Sequence, residues 1–387
     1  MAADVYRGEH NLTVSRVTQP PFRPRSAGTT TRIGEMPLSL PGRRQLRVVM
    51  TYQHVIMTHH GDASVLEIAA AELPAPMPHE VRVRVLAAGV AYTDILIREG
   101  LYPGMPKPPF TLGYDVVGIV DAVGAQVSTV PVGQLVAALT VTGGYSEYLC
   151  LSASDVVPVP DTVEAAAAVA LVLHYVTAYQ MLHRVAQVKP GQSILIHGAA
   201  GGVGTALLQL ARLTELEVYG TAAAAKHDHI RQWGAIPIDY RHEDFVQRIA
   251  DLTAAGVDAV FDLVGGPHLF RSYRVLKPHG TLINFGFMAA AQANRGRQLR
   301  LLQNFLCLGL LQLRWLQSKR VAFYSITAMK QRHPDWFRQD LTTLLELLAK
   351  GQIHPVIAQR LSLAEAAQAQ TLLERSAVSG ALVLLCN

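Results

Sequence analysis

SILIHGAAGGVG, residues 193–204, is the stretch that decides the fold of this chain. Its opening residues predict a buried strand, its glycines a tight turn, and the TALLQLARL that follows a helix. A strand, a glycine turn and a helix in this order form the phosphate-binding corner of a dinucleotide-binding fold. Gly201 lets the backbone approach a pyrophosphate, and Gly204 lets the helix pack closely on the strand. The helix N-terminus adds free N–H groups and the positive end of its dipole.

The next strand pattern, LEVYGT at 216–221, indicates which dinucleotide this corner holds. An NAD site has Asp or Glu at the end of this strand, where the carboxylate binds the ribose hydroxyls. This chain has Thr221 there, then a run of alanines and Lys226. Because a lysine attracts the 2′-phosphate that a carboxylate would repel, Thr221 and Lys226 favour NADP over NAD. The alternative is that Lys226 is only a solvated lysine at the start of a helix.

Composition limits the class of protein. The 387 residues are 50% hydrophobic, which is enough to bury two cores. The net charge of +5 comes from residues 1–49, which hold eight arginines and three acidic residues, while 26 basic and 26 acidic residues balance in the remainder. We therefore expect no nucleic-acid binding by the folded part. Three widely spaced cysteines predict no disulfide framework, so we expect a cytoplasmic protein.

The order of patterns along the chain predicts two domains and a tail. Residues 1–49 are rich in Pro, Gly, Thr and Arg without apolar periodicity or a secretory h-region, so we expect a disordered basic tail. Short alternating strands such as EVRVRVLAAGV (80–90) indicate a β-rich domain over 50–175 and, after a return of the chain, 319–387. Strands and helices alternate over 176–318, which predicts an α/β domain with a doubly wound parallel sheet.

The most apolar segment outside the sheets is LRLLQNFLCLGLLQLRWL, residues 299–316. Arginines and amides interrupt it, so it is not predicted to span a membrane. Four roles of this segment are left open: a lid over an apolar pocket, a dimer contact, an interfacial helix that touches a membrane, or a packed helix of the fold. We expect a homodimer.

Several motifs in the same order resemble those of the medium-chain dehydrogenase/reductase superfamily. They are VAYTDILIREGLYP (90–103), PPFTLGYDVVGIVDAVG (108–124), GGYSEY (143–148), VTAYQML (176–182) and AAGGVG (199–204). Within the superfamily the chain is similar to the zinc-free quinone oxidoreductase branch, near zeta-crystallin and the vesicle amine transport protein homologues. The resemblance covers residues 50–387 and implies a Rossmann domain for the parallel sheet and a discontinuous GroES-like catalytic domain for the β-rich part.

The resemblance also implies site residues. Positions matching the family's NADP contacts run from the phosphate loop to the nicotinamide. They are Thr177, Ala200, Gly201, Gly202, Val203, Lys226, Tyr240, Leu263, Val264, Phe285, Gly286 and Phe323. Tyr92 and Thr93 match positions that face the nicotinamide ring and are the candidate catalytic residues. Tyr92 is either a hydrogen-bond donor to the acceptor oxygen or only a wall. We interpret His174, in an apolar helix, as a core histidine.

No metal is expected at the position where zinc members of the family bind one. A cysteine and a histidine that bind the metal in those enzymes correspond here to Ala91 and Tyr114, and their third ligand falls near Leu173, next to His174. Without zinc to stabilise an alkoxide, reversible alcohol oxidation loses its main device. The resemblance therefore implies NADPH-dependent hydride transfer to a quinone or an α,β-unsaturated carbonyl. The alternative is a nucleotide-binding protein with little turnover that contacts a membrane or a partner.

Overall fold

The computed structural model describes residues 50–293, 296–313 and 318–386. The predicted tail at 1–49 lies outside the described residues, as do residues 314–316 of the apolar segment. The strands are β1 Thr51–Met57, β2 Leu66–Glu72, β3 Glu80–Val90, β4 Phe110–Thr111, β5 Asp115–Val123, β6 Leu135–Leu139, β7 Tyr148–Ser152, β8 Val157–Pro158, β9 Ser193–His197, β10 Glu217–Ala222, β11 Ile236–Asp239, β12 Val257–Asp262, β13 Leu276–Asn284, β14 Arg320–Phe323, β15 Ile357–Ser362 and β16 Ala381–Leu385.

Helices alternate with these strands in the second half of the chain. They are α1 Tyr92–Arg98, α2 Ala165–Ala170, α3 Val176–Tyr179, α4 Gly202–Leu213, α5 His227–Arg231, α6 Phe245–Leu252, α7 His268–Arg274, α8 Met288–Ala291, α9 Arg297–Gln312, α10 Ile326–Arg332, α11 Pro334–Ala349 and α12 Ala366–Glu374. The α2 and α3 segments belong to one continuous helix, Ala165–Ala186, that also contains two π-helical turns.

Six parallel strands form one sheet, in the order β11-β10-β9-β12-β13-β14. Counted from β9 as the first strand, this is the order 3-2-1-4-5-6 of a dinucleotide-binding fold. All five residues of β9 are buried, as expected for a central strand with helices on both faces. The direction of the winding reverses between β9 and β12. The doubly wound parallel sheet predicted from residues 193–204 is thus confirmed.

The second large sheet belongs to the β-rich domain and contains strands from both ends of the described chain. Its order is β15-β16-β3-β5-β6-β8, with β7 also paired to β3. Side chains alternate between the two faces of β3. Val81, Val83 and Val85 are fully buried, whereas Arg82 points outward and forms an ion pair with Asp121. Because β15 and β16 come from the C-terminal segment, the β-rich domain is discontinuous, as predicted.

The sheets refine the boundary between the two predicted domains. β14 pairs in parallel with β13 through Thr281 and Arg320, so the parallel sheet continues beyond the predicted end at 318. The short RVAF segment has too few residues for its sheet to be recognised from periodicity. We propose that the dinucleotide-binding domain ends after Phe323 and that the β-rich domain comprises the described residues of 50–175 and those after 323.

The helix Ala165–Ala186 is long and apolar enough to cross a membrane, judged by length and composition. However, 78% of its apolar window is buried inside the protein, as in a core helix of a globular fold. It lies between the two sheets, where its residues join the largest hydrophobic core. The continuous helix therefore links the β-rich half to the start of β9.

Candidate functional site

The loop from Gly198 to Gly204 has the shape that a phosphate-binding corner requires. A Cβ at Gly204 would lie 2.3 Å from the Gly198 carbonyl oxygen, so only glycine lets α4 pack this closely on the end of β9. A Cβ at Gly201 would meet only that same oxygen, at 3.5 Å. The space beside Gly201 is therefore open on its solvent side. The close packing at Gly204 is as expected from the sequence, and the approach of a pyrophosphate at Gly201 stays a prediction.

The N-terminus of α4 offers donors to this open space. The Thr205 N–H donates to the Gly201 carbonyl at 2.8 Å, and it is the first amide of α4 to make a helical hydrogen bond. The N–H groups of Gly202, Val203 and Gly204 have no acceptor among the described residues. Unpaired amides at the positive end of a helix dipole fit a pyrophosphate. The residues present therefore fit the dinucleotide that the fold implies.

The C-terminal segment closes one side of this loop. The Gly380 N–H donates to the Ala200 carbonyl at 3.1 Å, and Gly201 and Gly380 form an isolated parallel bridge. Gly380 has φ = +91°, a left-handed conformation that favours glycine. This contact could not be predicted from the sequence, because the two glycines are far apart in the chain and the residues around one give no indication of the other.

Lys226 follows β10, at the predicted 2′-phosphate position. Its ammonium donates to two backbone carbonyls, of Ser376 at 2.8 Å and of Val378 at 2.6 Å. Burial and the neighbouring Arg241 lower the pKa of Lys226, and none of the described carboxylates forms an ion pair with it. Arg241 also lies over the ring of the exposed Tyr240, at 5.8 Å from the ring centre. Lys226 is thus oriented but not neutralised.

Thr221, by contrast, points into the protein. Its hydroxyl contacts His197 Nδ1 at 3.1 Å and accepts the Gly198 N–H at 3.3 Å. The other nitrogen of His197 lies 3.1 Å from the Ser272 hydroxyl, which donates to Asp262 at 2.6 Å. Thr221 therefore supports the turn after β9 from within. Its predicted role in cofactor contact stays a prediction.

Asp262 ends β12 and is the centre of this buried network. Its Oδ1 accepts the N–H groups of Val264 and Gly265 at 2.8 and 2.9 Å, which fixes the turn after the strand. Burial alone would raise the pKa of Asp262, but the hydrogen bond from His268 and the charges of both nearby imidazoles lower it overall. Burial lowers the pKa of His197 to about 3.

His197, Asp262 and His268 bring possible metal-ligand atoms within 4.8 Å of one another. Each of these residues is already satisfied: the His268 ring is hydrogen bonded to Asp262 at 2.8 Å, and His197 has a partner on both nitrogens. We therefore interpret the cluster as a hydrogen-bond network that shapes the turn. The cluster was not predicted from the sequence, although its acidic residue, Asp262, opens the segment DLVGG (262–266) at the end of β12.

The predicted nicotinamide-side residues lie at the carboxyl ends of β12 and β13. The carbonyls of Leu263 and Val264 accept amides from α8, at 3.0 and 2.9 Å. The Phe285 N–H donates to the Asp262 carbonyl at 3.0 Å, and Asn284 Nδ2 donates to the Gly286 carbonyl at 2.7 Å. These residues therefore share one edge of the sheet with the phosphate loop.

Two further predicted contacts lie on other elements, the outer strand β14 and the helix α3. Phe323 ends the outer strand β14, is 41% exposed and packs against Phe305 of α9 with ring centres 5.7 Å apart. Thr177 is buried in α3, close to Tyr324, whose hydroxyl donates to Gln180 at 2.8 Å. Among the described residues, no hydrogen bond joins either side chain to the phosphate loop. Both assignments stay predictions.

The candidate catalytic residues Tyr92 and Thr93 begin α1 in the β-rich domain. Tyr92 packs against the apolar cluster formed by α1 and α8, which includes Leu96 and Phe287. Burial, with the nearby acidic groups Glu99 and Glu374 adding to it, raises the pKa of Tyr92 to about 12. Neither Tyr92 nor Thr93 forms a side-chain hydrogen bond with a described residue. The Tyr92 hydroxyl is thus a protonated donor that no residue in the described part of the chain engages.

Two carboxylates of the β-rich domain, those of Asp94 and Asp115, are buried. Asp94 Oδ2 accepts the Ala91 N–H at 2.9 Å and the Tyr145 hydroxyl at 3.1 Å, whereas its Oδ1 has no partner. Burial raises the pKa of Asp94 to about 7. Asp115 also has an unpartnered Oδ1, and burial followed by repulsion from Asp94 raises its pKa well above the ordinary range.

The positions that hold zinc in other members do not fit a metal here. Ala91 and Leu173 carry no donor atom, and the hydroxyl of Tyr114 is hydrogen bonded to Tyr102 at 3.1 Å. The two neighbouring carboxylates cannot by themselves provide the N/S donor set of a catalytic zinc.

We therefore expect purified protein to contain well below one zinc per chain, and EDTA to leave the melting temperature unchanged. Elemental analysis and thermal unfolding with and without chelator would check this. Stoichiometric zinc whose removal lowers the melting temperature would contradict it.

Comparison with known proteins assigns the chain to a family. A model described as an alcohol dehydrogenase GroES-like domain matches residues 77–161, and one described as a zinc-binding dehydrogenase matches residues 233–384. The synaptic vesicle membrane protein VAT-1 homolog of Rattus norvegicus is 34% identical over 310 residues, which are 78% of this chain and 76% of that protein. The chain belongs to the medium-chain dehydrogenase/reductase superfamily. The resemblance found in the sequence is thus confirmed.

Relatives within the superfamily include both VAT-1 proteins and quinone oxidoreductases. The VAT-1 homolog of Danio rerio is 38% identical over 240 residues, 61% of this chain, and the match spans about half of that protein, 49%. The structure of Escherichia coli quinone oxidoreductase complexed with NADPH superimposes with a TM-score of 0.77 at 29% identity, covering 86% of this chain and 99% of that one. The superfamily is one of oxidoreductases, so the Rossmann and GroES-like domains are those of a redox enzyme fold.

Proposed function

We propose that the protein transfers a hydride from NADPH to a quinone or an α,β-unsaturated carbonyl, without a zinc ion. The proposal rests on the end of β10, which lies next to the open phosphate loop. A cation, Lys226, follows the strand there, and no Asp or Glu stands at the end of the strand. Lys226 is held there by two carbonyls and has a second cation, Arg241, near it. An E. coli quinone oxidoreductase with the same fold has been crystallised with NADPH.

Each part of the proposed site has a separate task. The free amides at the start of α4 bind the pyrophosphate, and Lys226 with Tyr240 binds the 2′-phosphate. When bound, the nicotinamide supplies the hydride. Tyr92 donates a hydrogen bond to the acceptor oxygen, on which negative charge develops. A conjugated acceptor needs no metal to polarise it, which agrees with Ala91 and Leu173 at the zinc-ligand positions.

We expect the protein to bind NADPH roughly tenfold to a hundredfold more tightly than NADH, because a charge-assisted phosphate contact contributes about 1.5–3 kcal/mol. Lys226→Ala should remove most of this difference. Dissociation constants from cofactor fluorescence would check it, with Lys350→Ala on the exposed end of α11 as the control that leaves both constants unchanged. Equal constants for the two cofactors in the wild type would contradict the proposal.

A second candidate function rests on α9. The inner face of the helix is buried, through Asn304, Cys307, Leu308 and Leu311, yet its outer face carries leucines that are each more than half exposed. These are Leu299, Leu302, Leu306, Leu310 and Leu313. An exposed apolar stripe of this length supports a protein with little turnover that contacts a membrane or a partner. Turnover of NADPH with a panel of quinones and enones separates the two candidates, since only the first requires it.

We also propose a homodimer in the cytoplasm. The outer edge of β14 has no strand partner among the described residues, and exposed Phe323 lies on it beside α9. An open edge next to an apolar stripe favours association with another copy. Sedimentation analysis of the full chain would give the oligomeric state.

A further inference from the structure

His174 is the one predicted core histidine that the structure leaves without a hydrogen-bond partner among the described residues. It lies in the π-helical turn Leu171–Tyr175 of the continuous core helix. Such turns are rare in helices and are frequently found at functional sites. Its ring packs directly on the first residue of α4: a Cβ at Gly202 would come within 2.6–2.8 Å of the three ring atoms Cε1, Nδ1 and Nε2. His174 thus stands beside the unpaired amides of the phosphate loop.

The ring is in an environment that leaves it neutral. Burial lowers the pKa of His174 to about 4, with no charged group contributing to the shift. A neutral imidazole carries one N–H donor and one acceptor. Beside the positive end of a helix dipole, a neutral donor is tolerated better than a cation.

A polar group in this state calls for a partner. A neutral imidazole whose N–H is not taken up by an acceptor among the described residues is free to donate to a bound ligand. The other buried imidazole of this region, His197, has a partner on both nitrogens. His174 has intermediate exposure, and its ring lies against Gly202 at the start of the loop's helix.

We infer that His174 is a side-chain ligand of the dinucleotide's pyrophosphate, whose N–H joins the backbone amides at the start of α4. The inference rests on the proposed function, because it takes NADPH or NADH as the ligand. It also gives a reason for glycine at 202, since any side chain there would displace the ring. The contact is with the part that both nucleotides share, so it serves binding in general and not the choice between NADPH and NADH.

The test compares dissociation constants of both cofactors in His174→Phe, which keeps a ring of similar shape but has no N–H. We expect the affinity for NADPH and for NADH to fall by the same factor, roughly tenfold to a hundredfold. Lys226→Ala should instead weaken NADPH alone. The matched control is His183→Gln, further along the same helix, where the ring packs on Tyr179 with ring centres 4.5 Å apart; it should leave both constants unchanged.

A second measurement needs no variant that must fold. In the ¹⁵N-labelled wild type, the imidazole nitrogen resonances of His174 should shift on saturation with NADPH, whereas those of His183 should not. Unchanged constants in His174→Phe, or His174 resonances that do not move while NADPH binds, would overturn the inference and leave the proposed function standing. A wild type that binds neither cofactor would overturn both.

Discussion

Tyr92→Phe should lower the turnover of quinones and enones by about a hundredfold to a thousandfold, the usual cost of removing one donor to a developing oxyanion. Tyr92 is suited to that part because its hydroxyl has no partner among the described residues and its raised pKa, about 12, keeps it protonated at neutral pH. The substitution removes only the oxygen, so the ring still packs against Leu96 and Phe287. NADPH binding should stay within about a factor of two, since the phosphate contacts lie on the other domain.

Steady-state kinetics with one enone and one quinone would measure this effect. Tyr102→Phe is the matched control: Tyr102 packs on the same cluster, but its hydroxyl is bonded to Tyr114 at 3.1 Å, so turnover should be unchanged. Turnover unaffected in Tyr92→Phe would make the tyrosine a wall of the cleft and would shift attention to Thr93 or water. No turnover by the wild type would favour the second candidate function.

The parts of the fold that could be predicted from the sequence are those encoded by neighbouring residues. Residues 193–204 contain the strand, the turn and the helix start, and the close contact of Gly204 with Gly198 is a local consequence of that order. The alternation in β3 likewise indicated which face is buried. The absence of a carboxylate after β10 was visible for the same reason: the relevant residue directly follows a recognisable strand.

The missed features depend on residues far apart in the chain. Nothing near Lys226 indicates that its ammonium is bound by carbonyls about 150 positions later. The contact of the His174 ring with Gly202 could not be predicted, because an apolar helix gives no sign of which neighbours surround its polar residue. The pairing of β14 with β13 was missed because a four-residue strand has no periodicity of its own. Local pattern therefore predicted the scaffold, and tertiary packing decided the chemistry of the side chains.

A second large effect is expected from Asp94→Asn, on the pH dependence of stability. The pKa of Asp94 is raised by burial to about 7 in the folded protein, against about 3.9 in an unfolded chain. Between these two values the folded state binds the proton more tightly than the unfolded state does. The contribution of Asp94 is thus fully present below about pH 4 and is lost as pH rises to about 7. Three pKa units correspond to up to about 4 kcal/mol of free energy of unfolding.

The amide introduced by Asp94→Asn would keep an oxygen for the Ala91 N–H but cannot ionise. The free energy of unfolding of this variant, relative to the wild type, should therefore rise by up to about 4 kcal/mol between pH 4 and pH 8. Tyr145→Phe should act in the opposite direction. Removing the donor to the Asp94 carboxylate raises the pKa of Asp94 further, so the loss of stability with rising pH should extend to higher pH in this variant than in the wild type. Denaturant unfolding of all three proteins across this range gives the measurement. A difference between Asp94→Asn and the wild type that does not vary with pH would show that Asp94 is ionised throughout, so that its buried, unpartnered Oδ1 must find a donor in solution.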